Sequence, residues 1–358
     1  MAEIFALIIF YTTAFPIGFV FLNTFFRDAL KRLAFTLILA LSLAFGLAVC
    51  VISFSLTAFF VISLDAFFII AVLVWLGFLI FIRKHQVCYG SFDLILNLTC
   101  LILLLIPVLY IGGYLVNTPW HAADDARHYA FVTSILRYNG MNTMTLSPYS
   151  DVANLDERGI SIMAANIADI GGIQNGKAVM VAGSLAVILV PIISYAIMFS
   201  LTNRNSLSII VALISFNVYN IPYGLSVWSR FFSGNYGNVY GLLFLLLYVW
   251  SMLNSSKDGT KQFTLSMFFL MASYFVYMGY ILHMFLFTFS LIFIRIIKKR
   301  SISLHDCAKI TFLSLPIIIV GMLLLSPSLF PREVDLFLSP VLERFSANRF
   351  TGLPPSIE

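Results

Sequence analysis

The sequence predicts an all-α polytopic membrane protein with about ten transmembrane helices, and three observations support this fold class. Of the 358 residues, 61% are hydrophobic and only 10% are charged. A soluble domain is typically about 45–50% apolar and about 25% charged, because it needs polar surface over its core. Apolar runs of membrane-spanning length recur along the chain, and basic residues gather in the connection after every second run. Disorder is excluded, since 36 Phe residues would not stay solvated.

Ten apolar runs are close to the length that a helix needs to cross about 30 Å of hydrocarbon. They lie at 4–22, 33–56, 58–82, 93–116, 177–201, 206–222, 238–254, 263–279, 281–297 and 308–326. As one helix, the segment 263–297 would reach about 52 Å, which is too long for a single span. Gly279 and His283 near its middle therefore predict a tight hairpin between two short helices.

The basic residues predict the orientation of these spans. With ten spans and the N-terminus outside, 13 of the 21 basic residues fall at the cytoplasmic face, but only 4 of the 16 acidic ones. This asymmetry follows the positive-inside rule, so the net charge of +5 calls for no nucleic-acid partner. The N-terminal run has no basic leader and no small-residue cleavage site, so we expect a first span rather than a signal peptide. We expect a multi-pass protein of the cell membrane with both termini extracytoplasmic.

The predicted spans divide the chain into four segments. Residues 1–116 form a four-span segment, 117–176 an extracytoplasmic loop, 177–326 a six-span segment, and 327–358 an extracytoplasmic tail. The four cysteines show neither metal-ligand spacing nor a disulfide framework. The loop is the most informative segment, because connections between spans are usually short and this one carries six of the 16 acidic residues.

The start of the loop predicts a helix that lies on the membrane surface. Thr118 and Pro119 suit a helix start, and Gly140 suits its end. Apolar residues between them, such as Tyr129, Val132 and Leu136, would rest on the lipid.

Two acids and two imidazoles share one face of this predicted helix, at i, i+3, i+4 and i+7. They are His121, Asp124, Asp125 and His128. Such a face can bind a divalent metal, or adjacent carboxylates can raise one another's pKa and leave one as a general base. It can equally be a solvated polar face.

The residues Asp124 to Tyr129, DDARHY, resemble the acidic D-E-x-R/H-Y/F motif of membrane glycosyltransferases of the GT-C superfamily. The nearest groups are the protein O-mannosyltransferases and the lipid A aminoarabinose transferases. The segment 170–177, which leads into a span rich in small residues, also resembles that family, as does Trp228-Ser229-Arg230 with Asn235 and Asn238. The resemblance covers roughly 120–255. Here the motif follows four spans rather than one, and its second acid is Asp125 rather than Glu.

The resemblance implies transfer of a sugar from a polyprenyl-phosphate donor, held among membrane lipids, to an acceptor. The motif does not identify this acceptor. Asp124 would be the base or a metal ligand, and Asp125 would assist it. The implied phosphate-binding residues are Arg127, Arg137, Arg158, Lys177 and Arg230. His283 would touch the donor or bond a neighbouring helix. A divalent metal, Mg²⁺ or Mn²⁺, would be held by His121, Asp124 and His128.

Two other functions are open on the sequence. A transporter or flippase of a lipid-linked substrate would want ionisable residues at mid-membrane, whereas the predicted spans are almost free of charge at their centres. A non-catalytic subunit of a membrane complex would use His121, Asp124 and His128 only to bind metal.

Overall fold

The structure is a computed structural model, and it describes residues 2–56, 64–117, 158–217, 236–255 and 259–274. Shorter described pieces are 128–129, 132–133, 135–136, 276, 280–281, 283–284 and 286–291. The chain divides into two compact units, Met1–Lys298 and Lys299–Glu358. Every described residue belongs to the first unit. The predicted tenth run at 308–326 and the predicted tail lie outside the described residues.

The described part is helical and contains no β-strand, which confirms the all-α class there. Its helices are α1 (Ala2–Phe25), α2 (Arg27–Leu30), α3 (Phe35–Leu56), α4 (Leu64–Lys84), α5 (Leu94–Asn117), α6 (Arg158–Gly171), α7 (Asn175–Thr202), α8 (Asn205–Asn217), α9 (Tyr236–Asn254) and α10 (Gly259–Tyr274). Five stretches are long and apolar enough to cross a membrane. They are Ile8–Phe25, Phe35–Ser53, Leu94–Gly113, Asn175–Thr202 and Tyr236–Asn254. The described part therefore supports a helical membrane protein.

Helices α1 and α3 make the most intimate contact in the bundle, through small residues spaced four apart. Gly18 lies against Ser42, and Gly46 lies against Ala14. A Cβ atom at Gly18 would stand 1.8 Å from the Ser42 carbonyl oxygen, and one at Gly46 would stand 1.9 Å from that of Ala14. Small residues in this pattern let two backbones approach closely, which is a common way for helices to associate in membranes.

An aromatic core joins these helices to the C-terminal half of the described region. The Trp250 ring centroid lies 5.0 Å from that of Phe26 and 6.0 Å from that of Phe45. Phe45 also contacts Phe269 edge-on at 5.7 Å, and Phe269 contacts Tyr248 at 6.0 Å. Tilted and edge-to-face pairs are the preferred aromatic arrangements. Phe21 of α1 stacks on Phe45 at 5.1 Å, so the rings bind α1, α3, α9 and α10 into one bundle.

One end of the bundle gathers the connections that carry the basic residues. The chain before α3 and the chain before α5 meet at a parallel bridge between Ala34 and Ser91. Gly90 between α4 and α5 has φ of +79°, and a Cβ there would stand 2.5 Å from Leu33 O, so this docking requires glycine. Asn97 Oδ1 accepts a hydrogen bond from the Thr36 backbone N–H at 2.9 Å. The connections predicted to share the cytoplasmic face thus share one end of the fold.

The segment 263–297 folds back as the hairpin predicted from its length. Ser273 Oγ donates a hydrogen bond to Met284 Sδ at 3.7 Å. Residues eleven apart on one straight helix would be separated by about 16 Å, so the chain reverses direction between them. The prediction of a hairpin is confirmed for this described part.

Helix α6 is a packed helix inside the segment that the sequence predicts to be an outer loop. All of its residues from 159 to 168 are buried, so the helix is covered by protein on every side and not along one stripe. Its polar residues, such as Ser161 and Asn166, concealed this burial in the sequence. The end of the 117–176 segment therefore belongs to the bundle.

Candidate functional site

The site is centred on His128, the fifth residue of the DDARHY motif. Its side chain is only 2% exposed. Its Nδ1 lies 3.3 Å from the hydroxyl oxygen of Ser161 on α6, and the tautomer of the ring decides which atom donates. Its ring centroid lies 5.8 Å from that of Tyr236, the first residue of α9. The motif is thereby joined to two helices that are distant in sequence.

Tyr236 and Tyr240 fix these helices around the site. The Tyr236 ring lies directly on Gly183 of α7, where an added Cβ would stand 2.0 Å from a ring carbon. One turn further along α9, Tyr240 Oη donates to the Ala182 carbonyl at 2.7 Å, and it lies 3.9 Å from Met163 Sδ. Because Met163 and Ala182 stand about equally far from the turn between α6 and α7, these two helices form an antiparallel pair.

The helical residues around His128 pack into this bundle rather than lying on its surface. His128, Val132 and Ile135 are buried at 2%, 0% and 1% exposure, and their spacing puts them on one helical face. Asn175 Nδ2 donates to Thr133 Oγ1 at 2.9 Å, which ties the same helix to the start of α7. The prediction of a polar, solvated face through His128 is therefore wrong at this residue, because the stripe that it shares with Val132 and Ile135 faces protein.

His128 has a hydroxyl group and an aromatic ring among its partners, those of Ser161 and Tyr236. Among the described residues, it is the one buried side chain of the Asp, Glu, Lys, Arg and His types. A buried imidazole is stable when its ring nitrogens are hydrogen-bonded, and the Ser161 hydroxyl can donate or accept. This arrangement suits a positioning role, in which His128 holds the motif on α6 and α9.

The structure places the predicted site residues unequally. Six of them lie outside the described residues: His121, Asp124, Asp125, Arg127, Arg137 and Arg230. Arg158 is the first residue of α6, one turn before Ser161, and Lys177 is the third residue of α7 and is half-buried. His283 is exposed, and its ring centroid lies 5.4 Å from that of Tyr280.

Two site residues carried no signal of their own in the sequence. Ser161 is one serine among many, and only its place within the buried helix α6 could have indicated that it has a structural role. Tyr236 lies between Asn235 and Asn238, which belong to the segment that resembles the family.

In the described part of the chain, no group of three His, Cys, Asp or Glu residues is placed to hold a metal ion. His128 is the one described member of the predicted metal trio.

The contact between His128 and Ser161 is expected to be a net stabilising interaction. A double-mutant cycle of His128→Ala, Ser161→Ala and the double variant should give a coupling free energy of about 0.5–1.5 kcal/mol, the usual range for one internal hydrogen bond. Thermal unfolding in detergent measures it. Ser184→Ala is the control, since Ser184 bonds within its own helix to the Val181 carbonyl, and it should show no coupling to His128→Ala. Additive effects at 128 and 161 would contradict the assigned bond.

No family model, curated protein or solved structure matches this chain. The resemblance of Asp124–Tyr129 to the GT-C motif therefore stays a prediction from the sequence. The support for a function has to come from the way in which the chain's own residues are arranged.

Proposed function

We propose that this protein is a membrane-embedded transferase of the GT-C type, which moves a sugar from a polyprenyl-phosphate donor to an acceptor at the extracytoplasmic face. One observation carries the proposal. His128 of the acidic motif is buried against Ser161 and Tyr236, and all three belong to the stretch 120–255 that resembles the family. Three separated parts of that stretch thus meet at the motif.

The location of this cluster is consistent with chemistry at one membrane face. Gly183 lies in the first third of helix α7, whereas the end of this helix at Thr202 belongs to the end of the bundle that gathers the basic connections. The cluster therefore lies towards the opposite end. If the basic end is cytoplasmic, as the positive-inside rule predicts, the motif faces the outer side, where a lipid-linked sugar is presented.

The proposed reaction needs a base and positive charge. Asp124 would take the proton of the acceptor hydroxyl as its oxygen forms a bond to the anomeric carbon of the sugar. The bond between that carbon and the phosphate oxygen would break, and the electron pair would leave with the polyprenyl phosphate. Positive side chains would stabilise the charge that develops on the leaving phosphate. The candidates for this role are Arg127, Arg137, Arg158, Lys177 and Arg230.

The other motif residues would support this step. Asp125, adjacent to Asp124, would raise the proton affinity of the base through the repulsion of like charges. His128 would act as a positioning residue, since its contacts are with Ser161 and Tyr236. In the alternative role, His121, Asp124 and His128 would hold a Mg²⁺ or Mn²⁺ ion that supplies positive charge to the donor phosphate, and Asp124 would then be a ligand instead of the base.

The transporter alternative gains nothing from the described residues. It asks for carboxylates or lysines inside the bundle, and the buried polar side chains of the described part are hydroxyls, amides and His128. Among the described residues, the site therefore looks like a set of neutral groups that hold helices together, and not like a chain of ionisable residues that could carry protons or ions.

The test is an assay of purified wild-type protein with a radiolabelled polyprenyl-phosphate sugar and a panel of acceptors that includes water. Labelled sugar should leave the lipid only when the protein is present, with polyprenyl phosphate as the second product. Label that stays on the lipid but moves between the leaflets of a vesicle would instead establish the flippase alternative and refute the transferase.

A further inference from the structure

A polar cavity lies at the end of the bundle where the basic connections meet, away from His128. Its volume is ≈ 510 Å³, which is within the range of about 300–1,000 Å³ typical of ligand sites. The residues around it come from the α2 region and from the ends of α7 and α9, and they include Asp28, Arg32, Phe199, Ser200, Asn203 and Asn254. The reaction proposed for the motif uses none of them.

Asn203 and Asn254 give the wall of this cavity its neutral polar side. Ser200 belongs to the same wall, but its hydroxyl oxygen is buried out of reach of solvent, so the polar groups open to a ligand are those of Arg32 and the two asparagines. Asn203 has the left-handed conformation with φ of 53°, and its N–H bonds to Phe199 O at 2.8 Å, which fixes the course of the chain along this wall.

The charge around the cavity is positive. Lys31 Nζ lies 2.7 Å from Asp28 Oδ1, so the one carboxylate of the lining is already paired. The hydrogen bond from Lys31, assisted by the charges of Arg27 and Lys261, lowers the pKa of the Asp28 carboxyl. Arg32 has no carboxylate partner among the described residues. The site therefore presents an unneutralised guanidinium, which is well suited to phosphate.

The lining is also divided in character. Leu33, Phe199 and Leu253 give it an apolar side, whereas Arg32, Asn203 and Asn254 give it a polar one. A phospholipid has the same division, between its phosphate headgroup and the start of its acyl chains. Anionic lipids collect at the cytoplasmic leaflet, and the basic residues predict that this end of the bundle is cytoplasmic.

From this cavity we infer a binding site for a phosphate group, filled by the headgroup of an anionic phospholipid, with Arg32 on the phosphate and Asn203 and Asn254 as its neutral polar neighbours. The inference does not depend on the transfer reaction. It concerns the opposite end of the protein and different residues.

The test is native mass spectrometry of the purified full chain with added phosphatidylglycerol or phosphatidylcholine. Wild-type protein should retain one phosphatidylglycerol at concentrations at which phosphatidylcholine is lost. Arg32→Gln should weaken this binding by about tenfold, the effect of losing one hydrogen bond to a charged group. Asn203→Gly should also weaken it, because it removes an exposed polar side chain of the lining without changing the charge, and glycine tolerates the φ of 53° at this position.

Arg83→Gln is the matched control, because Arg83 is an exposed basic residue in the last turn of α4 that does not line the cavity. It should keep the affinity of the wild type. Equal losses in Arg32→Gln and Arg83→Gln, with none in Asn203→Gly, would overturn the site in favour of diffuse surface attraction. Equal retention of the two lipids would overturn it as well.

Inorganic phosphate distinguishes the two sources of the same chemical group. Failure of millimolar phosphate to displace the lipid would support a lipid headgroup. Binding of phosphate itself, lost in Arg32→Gln and without any selective lipid retention, would support the phosphate site and assign it to a soluble phosphate compound. Since Arg32 is exposed, Arg32→Gln leaves the packed core intact, and unchanged thermal stability verifies this.

Discussion

Gly46→Leu is expected to prevent the protein from reaching its folded state. A Cβ atom at this position would stand 1.9 Å from the Ala14 carbonyl oxygen and 2.9 Å from the Ala14 Cα atom. These neighbours are backbone atoms of α1, so no side chain can rotate out of the way. Overpacking a core usually costs about 1–3 kcal/mol. Here the two helices must separate, so we expect a loss at or above the upper end of that range.

The measurement is size-exclusion chromatography of the protein in detergent, followed by thermal unfolding. Gly46→Leu should lose the monodisperse peak, and Gly46→Ala should lose it too, because alanine already carries the Cβ atom that would meet the Ala14 backbone. Gly77→Leu and Gly112→Leu are matched controls, because a Cβ at either position meets open space. Both should remain folded, since Leu is a better helix former than Gly by roughly 0.5–1 kcal/mol. Equal behaviour of all three Leu variants would show that the contact of α1 with α3 is not as described.

Asp124→Asn is expected to reduce sugar transfer by about 10²–10⁴-fold, the usual contribution of a general base. Asparagine keeps the size of the side chain and its hydrogen-bonding capacity but accepts no proton at neutral pH. The donor should still bind, so kcat should fall while KM changes little. The measurement is turnover of a labelled polyprenyl-phosphate sugar by purified protein.

Asp169→Asn is the matched control for this variant. Asp169 lies near the end of α6 and is exposed, and the same chemical change there should leave kcat unaltered. Thermal stability of both variants should equal that of the wild type. If Asp124→Asn turned over at the wild-type rate while the wild type was active, the base would have to be sought elsewhere, whereas the assignment of the reaction itself would stand.

The predicted helices were accurate where the apolar run was long. The runs at 33–56 and 93–116 coincide closely with Phe35–Leu56 and Leu94–Asn117, because a continuous apolar stretch needs only its own backbone hydrogen bonds to be stable in a membrane. Helix α6 was missed for the complementary reason. It is short and carries polar residues that are themselves buried, and its stability comes from the helices that cover it.

For the site, too, one part could be predicted from the sequence and another part could not. The motif Asp124–Tyr129 could be found from the sequence, since acids are rare in this chain and two adjacent ones are conspicuous. The partners of His128 could not, because Ser161 and Tyr236 are 33 and 108 positions away along the chain, and only the packing of α6 and α9 brings them to it.

The sequence by itself determined the helical membrane class, the candidate motif and the clustering of basic residues in particular connections, because composition and periodicity are local properties of a chain. Only the tertiary structure decided that His128 is buried, that Gly46 and Gly183 are points of backbone and ring contact, and that Asn203 and Asn254 line a cavity beside Arg32. Burial and partnership depend on which helices pack together, and close packing sets them by shape between segments far apart in sequence.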